Sequence, residues 1–208
     1  MIYTYNKEAV GDVLMVTVAN AAGNKVEADR KENIARIYVT ESNETVGWNF
    51  FNASEVLTNL TGNGQVFPTD SEKEQLDQAI TKAGFNETIA DDRRPKIVSG
   101  LVKECVPHPD SDHLSVTQTE VDNGEVLQIV CGAANVREGL NVVVAKPGAM
   151  MPDGMIIWPG ALRGVESLGM LCSARELAVP NAPEAKGILE LPTDYPVGEA
   201  FDAANYKL

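Results

Sequence analysis

The sequence predicts an α+β N-terminal domain followed by an all-β domain, a small barrel or sandwich. Three observations predict this architecture. Residues 1–90 mix β-branched runs with one strongly patterned helix. Residues 96–208 carry short strands separated by glycine-containing turns. Between them, Asp91-Asp-Arg-Arg-Pro95 is polar, charged and closed by a proline that disfavours helix before it, so a linker is placed at 91–95. With 208 residues the chain is long enough for two domains, each with its own core.

In the first domain, Val13–Val18 and Ile34–Val39 are β-branched-rich runs bounded by polar turns and read as strands. Thr45–Phe51 follows the second run after Glu41-Ser-Asn-Glu44, the pattern of a hairpin. Ala53–Leu57 reads as one helical turn, and Thr58–Pro68, with Gly62-Asn-Gly64, as turn. The clearest helix spans Ser71–Ala83. Ser71 and Glu74 fit a capping box, Leu76, Ala79, Ile80 and Ala83 form one apolar stripe, and Gly84 supplies a left-handed cap.

In the second domain, strands are expected at Lys96–Val106, Leu114–Glu120, Val126–Val130, Asn141–Ala145 and around Met155–Trp158. Asn123-Gly124 and Asp153-Gly154 are dipeptides that tolerate positive φ in hairpin turns. A short helix, Ala174–Leu177, would start with Ser173 as its N-cap.

Composition narrows the class. Apolar residues are 44% and charged residues 23% of the chain, as in an ordinary globular protein, and no apolar run reaches the ~20 residues of a membrane span. The N-terminus lacks a basic segment followed by an apolar one, so the expected location is the cytoplasm, with no membrane partner. Three cysteines make no disulfide framework, and reduced thiols are expected. The net charge of −13 is opposite to that of a generic nucleic-acid binder. Through Lys96 there are 10 basic and 15 acidic residues; beyond it, 7 and 15. A nucleic-acid site must therefore be a local cluster of cations on an acidic body.

Four ordered blocks carry a resemblance. They are Lys103-Glu-Cys-Val-Pro-His-Pro-Asp-Ser-Asp-His-Leu114, Leu127-Gln-Ile-Val-Cys-Gly-Ala-Ala-Asn-Val-Arg137, Val144-Ala-Lys-Pro-Gly148 and Leu162-Arg-Gly-Val-Glu-Ser-Leu-Gly-Met-Leu-Cys-Ser173. Together they resemble the tRNA-binding domain of the bacterial phenylalanyl-tRNA synthetase β chain. The whole chain resembles the shorter, stand-alone YtpR-type tRNA-binding proteins. The resemblance implies an OB-fold, a five-stranded Greek-key barrel, for residues 96–208 and an α+β domain of undefined role for 1–90. It also implies non-covalent tRNA binding by shape and backbone, with no cofactor and no catalysis, and it admits a homo-oligomer. Two departures stand out: Ser111 and His113 occupy positions where the first block usually has alanine and arginine, and Ala134 stands where the synthetase often has proline.

The candidate RNA-binding residues are Arg137, Lys146, Arg163 and Arg175, in or beside the blocks, with Ser167 and Ser173 as hydroxyl donors to phosphate or ribose. Each alone has an equally good reading as a solvated side chain or a cap. Arg93, Arg94 and Lys96 form the single basic cluster of the sequence, with a solvated linker as the plainer reading. The second half offers few aromatics for stacking (Trp158, Tyr195, Phe201, Tyr206), which favours shape over base readout. No DNA partner is expected.

Cys105, His108, His113 and Cys131 fit no standard zinc spacing, so no metal is expected. Cys131 lies in an apolar run, where an inert buried thiol outweighs a nucleophile. Two alternatives stay open. One is a protein-interaction or dimerisation module that docks on a synthetase or ribosome, which the charge of −13 favours. The other is an enzyme in the first domain, which has no His and no Cys to serve acid–base or thiol chemistry.

Overall fold

The computed structural model describes residues 1–89, 94–184 and 186–208. The linker expected at 91–95 and the basic residue Arg93 fall largely outside these residues. The chain forms two compact units, Met1–Arg93 and Arg94–Leu208.

The first unit is a six-stranded antiparallel sheet with one long helix. Its strands are β1 (Ile2–Asn6), β2 (Val13–Thr17), β3 (Val26–Lys31), β4 (Ile34–Val39), β5 (Thr45–Phe51) and β6 (Asn63–Val66), in the order β3-β4-β5-β2-β1-β6. Tyr3, Tyr5, Leu14, Val16, Trp48 and Phe50 form a core with Leu76 and Ile80 of the helix Asp70–Lys82, called α1 here. This is the stripe expected from spacing, with Ala79 and Ala83 partly buried beside it. The capping box forms two residues earlier than expected. Thr69 accepts from the Glu72 amide (3.3 Å), and Glu72 accepts from the Thr69 amide (2.7 Å). Both frames match the motif, and the earlier one begins directly after Pro68. Gly84 follows the helix at φ +85, and Lys31 closes this end, its Nζ donating to the Gly84 carbonyl (2.9 Å) over the Phe85 ring.

The second unit is a nearly closed five-stranded antiparallel barrel, an OB-fold. It contains β7 (Ile97–Pro107), β8 (Ser115–Glu120), β9 (Val126–Cys131), β10 (Asn141–Ala145), the hairpin β11 (Gly160–Leu162) and β12 (Val165–Ser167), and the short β13 (Met170–Leu171). The main sheet runs β13-β10-β7-β8-β9. It closes where β12 runs into β13: the Leu168 amide donates to the Gln128 carbonyl (2.8 Å), and the Val130 amide donates to Ser167 Oγ (3.1 Å). Gly169 lies in this crossing at φ +144, where a Cβ would come within 2.9 Å of the Ala145 carbonyl, so the closure requires glycine.

β10 explains its unbroken apolar sequence. All five of its residues are buried. Val142 and Val144 point into the barrel core with Val98, Val102, Leu127 and Ile129. Val143 and Ala145 face a second core outside it, built with Met151, Ile157, Cys172, Leu177, Leu189 and Phe201. A strand covered on both faces has no polar side to alternate with. The segment after β13 thus folds back over the barrel, and Phe201 donates its amide to Ile97 (3.0 Å).

Two expected elements of this unit differ. Met155–Trp158 is not a regular strand; a turn at Gly154 (φ +91) allows a single bridge, Met150 to Ile156, and Ile157 serves the second core. Ala174–Leu177 is one hydrogen-bonded turn, too short for a regular helix, although Ser173 does cap it. In the first unit β1, β3 and β6 lay outside the expected strands, and β6 falls where turn was expected. No helix among the described residues is long and apolar enough to cross a membrane.

Candidate nucleic-acid interface

The barrel unit is acidic, so the pairing state of each cation decides where an anion can dock. Arg94 pairs with Glu125 (3.6 Å), Lys103 with Glu120 (3.1 Å), Arg137 with Glu190 (2.8 Å) and Lys146 with Asp122. Arg163, Arg175, Lys186 and Lys207 are exposed and make no ion pair among the described residues. Of the six residues expected at the site, Arg163 and Arg175 are thus the two unpaired cations.

Arg175 is set by the turn after β13. Ser173 and Glu176 bond reciprocally: the Ser173 amide and hydroxyl each donate to Glu176 Oε2 (2.7 Å each), and the Glu176 amide donates to Ser173 Oγ (3.2 Å). Arg175, between them, is left exposed on the rim of a cleft of about 850 Å³. The cleft lies between the barrel edge at Val130–Ala133 and Met170–Leu171 and the later segment around Lys186–Ile188. Ser173 lines it as well.

Asn135, within the second block, fixes the far wall. Its amide group bonds both backbone groups of Ile188, accepting from N–H (3.0 Å) and donating to C=O (3.0 Å), and also donates to Glu190 Oε1 (3.0 Å). Arg137 joins the same network with two guanidinium bonds to Glu190 (3.1 and 2.8 Å). These bonds from Arg137, and then from Asn135, hold the Glu190 carboxyl below its usual range. Gly187 precedes the clip at φ +138, and a Cβ there would lie 2.9 Å from Asn135 Oδ1.

Arg163 occupies the tip of the β11–β12 hairpin at φ +46, followed by Gly164 at φ +81. The hairpin is tied to the first block through His108, which is buried. The Asp110 amide donates to His108 Nδ1 (3.0 Å), which leaves Nε2–H to donate to the Leu162 carbonyl (3.1 Å). Arg163 Nη1 then donates to the Asp110 carbonyl (3.2 Å). His-Pro is therefore a brace between two loops of the barrel.

Lys146 and Ser167 sit elsewhere in the architecture. The Lys146 side chain is 7% exposed and bonded to Asp122, itself 11% exposed. Ser167 is buried, accepting from Val130 N and donating to the Gly169 carbonyl (3.3 Å). Both polar groups are consumed inside the barrel. Sequence reasoning passed over Lys186, Asn135 and Glu190; of these, Asn135 stood in a quoted block.

The thiols are placed for packing. Burial raises Cys131 and pushes Cys172 up to about 12, the direction opposite to nucleophilic activation. Among the described residues no three His, Cys, Asp or Glu side chains gather as a metal site.

The family described as "Putative tRNA binding domain" matches residues 97–200, and that described as "Domain of unknown function (DUF4479)" matches residues 21–92. A protein of Bacillus subtilis, "Putative tRNA-binding protein YtpR", is 44% identical over 95% of this chain and 97% of its own length. The chain belongs to the YtpR family. The phenylalanine–tRNA ligase β subunits of Chromobacterium violaceum (46% identical) and Sulfurimonas denitrificans (51% identical) share the barrel region. They match over 62% and 50% of this chain, but over only 16% and 13% of the ligase subunits. In this YtpR-family chain the matched region begins at the first residue of β7 and ends at Ala200, which bridges back to Val98. The shared unit is therefore the barrel together with the segment that folds back over it.

Proposed function

We propose that the barrel unit binds tRNA non-covalently, by shape and backbone, and catalyses no reaction on it. One observation carries the reading: in a family of tRNA-binding proteins, the unpaired cations Arg175 and Lys186 flank a cleft built by the second and fourth blocks. Folded RNA presents phosphates and 2′-hydroxyls in fixed positions that a rigid barrel can match without reading duplex bases. Arg163 reaches from the hairpin loop, and loops between OB-fold strands are where such folds take oligonucleotides. Arg137 completes the contact set, Ser173 holds the turn that presents Arg175, and Lys146 and Ser167 serve the barrel's own stability. The reading places the protein in the cytoplasm, residues 91–95 as the linker between the two domains, and a homo-oligomer among its assembly states. A second reading, a protein-docking module, is favoured by the net charge of −13.

Filter binding of total tRNA, with duplex DNA as control, tests this at two salt concentrations. Saturable tRNA binding that exceeds DNA binding is expected. Its logarithm should fall against log salt with a slope of about −2 to −4, as for a few phosphate contacts. Replacing Arg137, Arg163, Arg175 and Lys186 together by alanine should abolish it. No binding at low salt would refute the reading in favour of protein docking.

A further inference from the structure

The cleft beside Arg175 has a chemistry unlike a surface for helical phosphates, and we infer that it takes an unpaired nucleotide of the bound RNA. The inference rests on the tRNA-binding reading above and concerns which part of the RNA enters. Three features of the cleft point to it. Its volume, about 850 Å³, lies in the range of pockets that enclose a small molecule, roughly 300–1,000 Å³, which suits about one or two nucleotides. A double helix is far too wide to enter it.

The second feature is the division of its walls. Val130, Met170, Leu171 and Ile188 supply an apolar floor, while Arg175 and Lys186 line it as cations. A splayed-out nucleotide has the same division, a flat apolar base face joined to an anionic phosphate, and unstacked bases are what proteins commonly read in RNA. Among the described residues no aromatic ring lines the cleft. The polarizable Met170 thioether and the branched side chains beside it take the place of a stacking ring.

The third feature is the charge count. Asp153, Glu176 and Glu184 line the cleft with the two cations. Three carboxylates against two cations repel a row of duplex phosphates but tolerate one. Glu176 is already engaged by Ser173. Glu184 and the second oxygen of Asp153, whose Oδ1 accepts from the Met155 amide (2.9 Å), line the cleft as acceptors for the amino group of a base, the contact a carboxylate makes with cytosine N4.

The test is competition against labelled tRNA on the full chain. The probes are a six-nucleotide oligocytidylate and a twelve-base-pair RNA duplex. The oligocytidylate should displace tRNA at least tenfold more effectively than the duplex. The double variant Arg175→Ala/Lys186→Ala, whose side chains are exposed, should keep the wild-type melting temperature. It should bind labelled oligocytidylate at least tenfold more weakly. Equal competition by duplex and single strand would overturn the inference and leave tRNA binding standing. So would a double variant that binds oligocytidylate as the wild type does. Failure of the labelled tRNA itself to bind would overturn the tRNA reading and this inference with it.

Discussion

Replacing Lys146 by methionine separates a structural cation from an interface cation. Among the described residues the ammonium group is the one hydrogen-bond partner of the Asp122 carboxylate, since Oδ1 is buried with no partner there. Gly198 packs against the Asp122 backbone from the returning segment, where a Cβ would lie 2.9 Å from Asp122 Cα. Water therefore has little room to replace the lost ammonium. Breaking a buried pair by removing one partner costs about 3–5 kcal/mol. In a unit of this size that lowers the melting temperature by about 10–20 °C. The double variant Lys146→Met/Asp122→Leu removes both charges and should regain most of the loss, because a well-packed apolar pair is often as stable as a buried ionic one. Urea or thermal unfolding of the wild type, single and double variants measures this, with tRNA affinity measured well below the transition. Affinity is expected to stay within about twofold of wild type. A single variant that unfolds within about 1 kcal/mol of wild type yet loses tRNA binding would refute the assignment and make Lys146 a direct contact.

Three other outcomes are expected. Glu190→Gln releases Arg137 from its carboxylate, so tRNA affinity should rise several-fold and the salt slope steepen by about one; unchanged affinity would remove Arg137 from the interface. In the first unit, hydrogen bonds from Ser54 and Tyr5 hold Asp12 below its usual value of 3.8. Its contribution is therefore complete above that value and lost as pH falls through the depressed one. Asp12→Ala should flatten the acid limb of the stability profile below about pH 4 and cost about 1 kcal/mol at pH 7; an unchanged limb would show that the carboxylate does not couple to folding. Alkylation of the native protein by iodoacetamide at pH 8 should label half-buried Cys105 first and Cys172 last, which mass spectrometry of the peptides reads directly. Rapid labelling of Cys172 would contradict its placement in the second core.

What could be read in the sequence follows from which residues are buried on one face. β2, β4, β5 and β9 were legible because their apolar residues mark them, β8 because its β-branched Val116, Thr117 and Thr119 do, and β10 because it is buried on both sides. β3 was not, since every residue from Val26 to Arg30 is exposed and nothing forces an alternating pattern on Val-Glu-Ala-Asp-Arg-Lys. β6 was not either, because Asn63-Gly-Gln-Val66 pairs with β1 through its backbone. The apolar run at Met155–Trp158 misled in the opposite sense: Ile157 fills the second core and Met155 is exposed, and the run belongs to no regular ladder. For the site, the blocks located the cleft, but a motif does not tell which of its polar side chains faces water. Lys146 and Arg163 stand in equivalent-looking Lys/Arg-Gly-containing turns, yet one is sealed inside and the other crowns a hairpin. Lys186 lies outside every block and reaches the cleft through Asn135's grip on Ile188, a link 53 residues long in sequence.

The double burial of β10 also bears on how such a unit can be excised or transplanted. A fragment stopped after β13 would keep all the barrel strands yet expose Val143, Ala145 and Met151 as an apolar strip, inviting aggregation. Any grafted or truncated version therefore has to carry the chain through at least Phe201, and inserted sequence will be tolerated at the exposed Arg163–Gly164 tip long before it is tolerated between Leu171 and Leu191.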